Sequence, residues 1–170
     1  MNKLALALSA ALSLGAVASA SAADATINFK GDIKALPCAI SVGAGGTSVA
    51  MPTITPDQIT SGASRNVDFD LKMGTDAGKC PANTYTLAFK DSALTDGMLS
   101  NSATTGAAKN VALTIVKDGS ELDLSTDVIN HTLAAEGVVT IPLQARLDRA
   151  GVGTVEAGTY SGDLLINVTY

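Results

Sequence analysis

The sequence predicts an all-β fold, a two-layer antiparallel sandwich. Three observations predict it. Apolar and polar residues alternate with period two along most of the chain. Short glycine-containing segments separate the alternating runs. Helical periodicity is weak throughout.

The runs follow in order. Ala25 to Lys34 alternates through Ile27, Phe29, Gly31 and Ile33. Val67–Met73, Thr84–Phe89 and Val111–Lys117 continue the pattern, then Val139–Asp148 and finally Tyr160–Tyr170. Ala39–Val42 and Ser48–Met51 are shorter candidates. Turn chemistry falls at Gly43–Gly46, Ser61-Gly62, Asp96-Gly97, Asp118-Gly119 and Gly151–Gly153. A single turn of helix is expected near Pro56–Ile59 or Ser92–Leu94. Pro142 lies inside a strand pattern. It cannot donate to a ladder, so an edge position or a bulge is expected there.

Residues 1–22 read differently. Lys3 precedes an uncharged apolar run from Leu4 to Ala18, and Ala20-Ser21-Ala22 supplies a small-x-small cleavage site. This is the pattern of a secretory signal, and the run is short for a bilayer span of about 20 residues. Cleavage after Ala22 removes Lys3. Export changes the meaning of Cys38 and Cys80. In an oxidising compartment two cysteines most simply pair, the alternative being two buried thiols. Closing that loop would stabilise the fold by up to about 4 kcal/mol on a chain-entropy estimate.

Composition excludes several functions. The chain of 170 residues carries 11 Lys+Arg against 16 Asp+Glu, a net charge of −5, without a basic run. Nucleic-acid recognition needs a basic footprint, so no nucleic-acid partner is expected. One His and two Cys do not make a zinc site without carboxylates. His131, read as a loop or strand-end residue, has no nucleophile motif beside it. Asp68 and Asp70 share one strand face, the solvent side. The carboxylates at Asp118, Glu121, Asp123 and Asp127 lack the glycine and terminal Glu of a calcium loop. No enzyme, cofactor, metal site or small-molecule substrate is expected.

The two ends of the mature chain carry the remaining signal. The start, Ala23 to Lys34, alternates and stops just before Cys38. The end alternates from Tyr160 to the terminal Tyr170, and Gly158 lies twelve positions before that aromatic. Ordinary strands of a closed sandwich would read the same way. Taken together, however, the sequence resembles the type 1 fimbrial subunits of the chaperone–usher route in Gram-negative bacteria. The Gly31-to-Cys38 spacing, the Gly158/Tyr170 pair, the Cys38/Cys80 spacing and the segment Ile141-Pro-Leu-Gln-Ala-Arg146 carry the resemblance. One departure is that Tyr170 is last rather than penultimate.

The resemblance implies an incomplete immunoglobulin-like antiparallel sandwich that lacks its last strand and is completed by a donor strand. It implies a signal peptide at 1–22, a donor extension at 23–34 and a pilin domain at 35–170, stapled by a Cys38–Cys80 disulfide. Ala25, Ile27, Phe29, Gly31 and Ile33 would enter a neighbour's groove. Gly158, Tyr160, Leu164, Ile166, Val168 and Tyr170 would border this chain's own groove and meet the chaperone. The implied partners are a periplasmic pilus chaperone, an outer-membrane usher and neighbouring pilin subunits, in a fimbrium on the cell surface that contributes to adhesion. The short extension favours a minor, tip-proximal subunit over a major shaft pilin. The rival reading is a secreted β-sandwich adhesin or carbohydrate-binding module, although a tip adhesin would be about twice as long.

Overall fold

A computed structural model describes residues 39–43 and 46–170. Two antiparallel sheets face each other. The larger runs β1 (Ile40–Val42), β2 (Val67–Met73), β9 (Val139–Arg149), β6 (Val111–Lys117), β5 (Met98–Ser100), β4 (Leu94–Thr95), with β7 (Ser120–Leu122) also paired to β6. The smaller has β3 (Asn83–Ala88) between β10 (Asn167–Thr169) and β8 (Val128–Leu133). The inward sides of the alternating runs make one core, including Leu71, Met73, Tyr85, Leu87, Ile115, Ile141 and Leu143. The sole helix among the described residues, α1 (Pro56–Thr60), begins with Pro56 and a reciprocal Thr55/Gln58 capping box, and buries Ile59.

The long runs fold as their periodicity requires. β2 and β9 pair over seven residues, from Val67 opposite Ala145 to Met73 opposite Val139. β9 then pairs with β6 from Gln144 opposite Val116 to Arg149 opposite Val111. Pro142 lies beyond the end of that second ladder, where β9 has β2 alone beside it, so β6 loses no bond to the missing N–H. On the outer face Asp68 accepts a hydrogen bond from Gln144 at 2.6 Å. Arg146 donates to Asp148 at 2.7 Å and also pairs with Glu121.

Of the two stretches where a helical turn is expected, Pro56–Ile59 holds it and Ser92–Leu94 does not. Three expectations need correction. Ser48–Met51 forms no ladder. His131 lies within β8, half-buried and opposite Tyr85. Its polar ring interrupts the apolar file Ile129, His131, Leu133, which is why that strand does not announce itself in the sequence. Lastly, only Asn167–Thr169 of the Tyr160–Tyr170 run is paired as strand. Residues 160–166 keep the alternation, exposed at odd numbers and half-buried at even ones, without a ladder of their own.

Candidate functional site

The unpaired half of the C-terminal run is the site. Its odd residues turn their main-chain groups towards the body of the protein. The Ser161 carbonyl accepts from the Ser102 N–H at 2.7 Å, and the Ser161 N–H donates to Asn101 Oδ1 at 3.0 Å. Ser92 Oγ accepts from the Leu165 N–H at 2.8 Å. In extended chain the even residues must then present their N–H and C=O groups to the opposite side. Among the described residues, no hydrogen bond satisfies the main chain of Tyr160, Gly162 or Leu164.

A second unpaired segment lies across from it. Residues 47–51 belong to no strand and make no main-chain hydrogen bond among the described residues. Between the two runs lies an apolar groove of about 540 Å³. Val49 and Met51 form one wall, and Tyr160, Leu164 and Ile166 the other. The floor is the inner face of the larger sheet: Leu71, Leu113, Ile115, Leu143 and Ala145. Two edges of unmet donors and acceptors on either side of an apolar floor are what one further strand would satisfy.

Tyr160 shapes one end. Its hydroxyl donates to the Leu99 carbonyl at 2.9 Å, and burial pushes its pKa well above the ordinary tyrosine range. The same hydroxyl stands 2.6 Å from where a Cβ on Gly162 would be. Beyond Tyr160 is a small hollow of about 40 Å³ between Ile54, Ile59, Val155 and Gly158. Gly158 therefore sits at the hollow rather than in the main groove. A Cβ there would meet the Ala108 nitrogen at 2.3 Å and the Gly106 carbonyl oxygen at 2.5 Å, because the chain runs directly against residues 106–108.

The other sequence-derived residues fall as follows. Val168 pairs with Leu87 and packs on the core. The Tyr170 ring lies against Tyr85, centroids 6.3 Å apart, and the Tyr85 hydroxyl donates to the Pro81 carbonyl. Cys80 is fully buried and exchanges two main-chain bonds with Gly137. Its expected partner Cys38 lies outside the described residues, as do Ala25, Ile27, Phe29, Gly31 and Ile33. The sequence marks Ser48–Met51 as a short strand candidate but not as a wall of this groove. Sequence reasoning missed the floor, although the period-two runs of β2, β6 and β9 do mark those residues as inward-facing.

Residues 27–170 match the family model described as fimbrial protein. The chain belongs to the fimbrial protein family. The fimbrial subunit is 30% identical to a type-1 fimbrial protein subunit of Serratia marcescens, over 100% of this chain and 99% of that one. It is 28% identical to the type-1 fimbrial protein, A chain, of Escherichia coli K12, over 100% and 98%. Among solved structures, it superposes on the P pilus rod subunit PapA with a TM-score of 0.58 at 20% identity, covering 79% of this chain and 99% of that one. A subunit from the structure of a chaperone–usher pilus gives the same TM-score at 19% identity, covering 86% and 94%. The fold is the incomplete immunoglobulin-like sandwich of chaperone–usher pilins, and the protein is a structural pilin of a surface fimbria of Gram-negative bacteria.

Proposed function

We propose that this pilin, a non-enzymatic subunit, is built into its fibre by strand exchange at the groove between residues 47–51 and 160–166. The observation that carries the reading is that pair of unpaired edges over an apolar floor. In the periplasm a pilus chaperone fills the groove with a strand of its own and meets the carboxylate of Tyr170 with basic side chains. At the outer-membrane usher a neighbour's extension takes the chaperone's place. Residues 1–22 direct export, 23–34 are the extension this subunit donates, and 35–170 form the body, stapled by a Cys38–Cys80 disulfide. Ala25, Ile27, Phe29, Gly31 and Ile33 form the donated face.

Side-chain alternation supplies the test. Ile27→Asp and Phe29→Asp are expected to leave the subunit folded with its chaperone and absent from sheared fibres. Asn28→Asp, one residue away on the opposite face, is expected to assemble nearly as well as the unmodified chain. Equal loss of all three from the fibres overturns the assignment.

A further inference from the structure

We propose that the outer face of the larger sheet carries a second site, a trough over Thr114 that binds an uncharged polyhydroxylated ligand, the class to which neutral sugars belong. The trough lies on the opposite side of the sheet from the strand-accepting groove and does not depend on strand exchange.

Side-chain size makes the trough. Ala112, Thr114 and Val116 share the outer face of β6, and all three are short and buried. Longer side chains stand on both flanks. Arg146 of β9 is directly opposite Thr114. The register that pairs Leu99 with Leu113 brings Met98 of β5 beside Thr114 on the other flank. The hollow between them measures about 480 Å³ and is lined in part by Met98, Thr114, Glu121, Leu122, Arg146 and Asp148. That volume falls within the usual range of about 300–1,000 Å³ for small-ligand sites.

Unspent hydrogen-bonding capacity then points to the ligand. Thr114 is only 3% exposed, yet its hydroxyl makes no hydrogen bond among the described residues. A hydroxyl this deep normally has a partner, and its one open side is the hollow. Arg146 beside it spends two of its five N–H donors, one on Asp148 at 2.7 Å and one on Glu121. The rest have no partner among the described residues. Asp148 accepts from Arg146 with one carboxylate oxygen, and the other stays open. The charged groups further round the hollow are engaged elsewhere. Asp96 accepts from the Gly151 N–H, and Asp123 from the Ser125 N–H and hydroxyl. Arg149 donates to the Val152 and Gly153 carbonyls. What remains open is a hydroxyl, a set of guanidinium donors and a carboxylate oxygen. An ammonium only donates and leaves Arg146 unserved. A carboxylate or phosphate only accepts and leaves Asp148 unserved, besides meeting like charge. Adjacent hydroxyls both donate and accept, so a polyol serves all three groups without adding charge. Met98 gives its C–H face an apolar surface.

Titration of the purified subunit with simple sugars tests the site. D-glucose, D-galactose and D-mannose are the neutral probes, D-glucuronate and D-glucosamine the charged ones, and binding is followed by ligand-observed NMR. Saturable binding of at least one neutral hexose is expected at or below about 10 mM, with both charged sugars weaker. Thr114→Val keeps the side-chain shape and removes the hydroxyl, so affinity is expected to fall by about fivefold or more with an unchanged circular dichroism spectrum. Asp148→Asn, which removes the open carboxylate oxygen, makes the same comparison should the valine variant fold poorly. Asp70→Asn, in a separate hollow, is the control and should bind as the unmodified chain does. Tighter binding of glucuronate or glucosamine than of every neutral hexose overturns the ligand class. Affinity that survives both Thr114→Val and Asp148→Asn overturns the location. Absence of saturable binding by all the sugars overturns the site.

Discussion

Tyr160 and Gly162 point into the groove two residues apart, and the tyrosine hydroxyl fills the volume that a side chain at 162 would need, 2.6 Å from its Cβ position. The Leu99 side chain closes the same space at 3.0 Å. Gly162→Ala must therefore displace the phenol and break its hydrogen bond to the Leu99 carbonyl. A destabilisation of about 1–3 kcal/mol is expected by chemical denaturation, from overpacking plus the lost bond. With Tyr160→Phe in the background, the alanine should cost less, and the difference in a double-mutant cycle measures the coupling. Strict additivity would show that the hydroxyl and the missing side chain do not compete.

Gly158 presents a harder obstacle. The atoms that a Cβ there would strike are backbone, the Ala108 nitrogen, the Ala107 carbonyl carbon and the Gly106 oxygen, all within 2.5 Å. They are held by the bonds that join Thr159 to Gly106 and Ala108. No flexible side chain can yield, so Gly158→Ala should destabilise more than Gly162→Ala, by about 2 kcal/mol or more, through backbone displacement. Melting temperatures of the two purified variants rank them. A milder effect at 158 would mean that residues 106–108 shift freely.

Tyr160 also makes stability depend on alkaline pH. Burial raises its pKa in the folded protein above the unfolded value near 10. Its neutral form is thus the one the fold accepts. The associated stability is complete below pH 10 and falls as pH rises through and beyond that value, where the unfolded chain loses the proton first. Tyr160→Phe removes this group from the titration. Denaturation midpoints between pH 9 and 11 should fall less steeply for the phenylalanine variant. Parallel slopes would assign the alkaline loss to other groups.

Most of this architecture was legible because period two is a local property. β2, β6 and β9 could be drawn from Val67–Met73, Val111–Lys117 and Val139–Asp148 alone, and their inward residues became the groove floor. Pro142 correctly signalled a stretch of strand with one free side. What failed locally was what depends on partners. Residues 160–166 alternate like a strand, but strand pairing requires a neighbour, and none of the described residues supplies one on the open side. β8 was hidden because His131 occupies an inward position that the pattern expects to be apolar. Ser48–Met51 reads as a short strand candidate, but its role as a wall emerged only from its position opposite Tyr160 and Leu164.

Leu164 and Leu165 put the same side chain on the two faces of the groove wall. Leu164 is half-buried and lines the groove, whereas Leu165 is 51% exposed and contributes only main-chain bonds to Ser92. A charge at 164 would enter the apolar channel unpaired, a heavy penalty whenever a strand covers it. The same charge at 165 stays in water. Leu164→Asp is therefore expected to lower incorporation of the subunit into fibres by at least about tenfold, the equivalent of 1.4 kcal/mol. Leu165→Asp should change it by less than about twofold, in keeping with an exposed site. The measurement is the amount of each variant in sheared fibres relative to the amount in the same cells. Comparable losses for the two leucines would mean that the run from 160 to 166 does not present one face to an incoming strand, and the wall would have to be placed elsewhere.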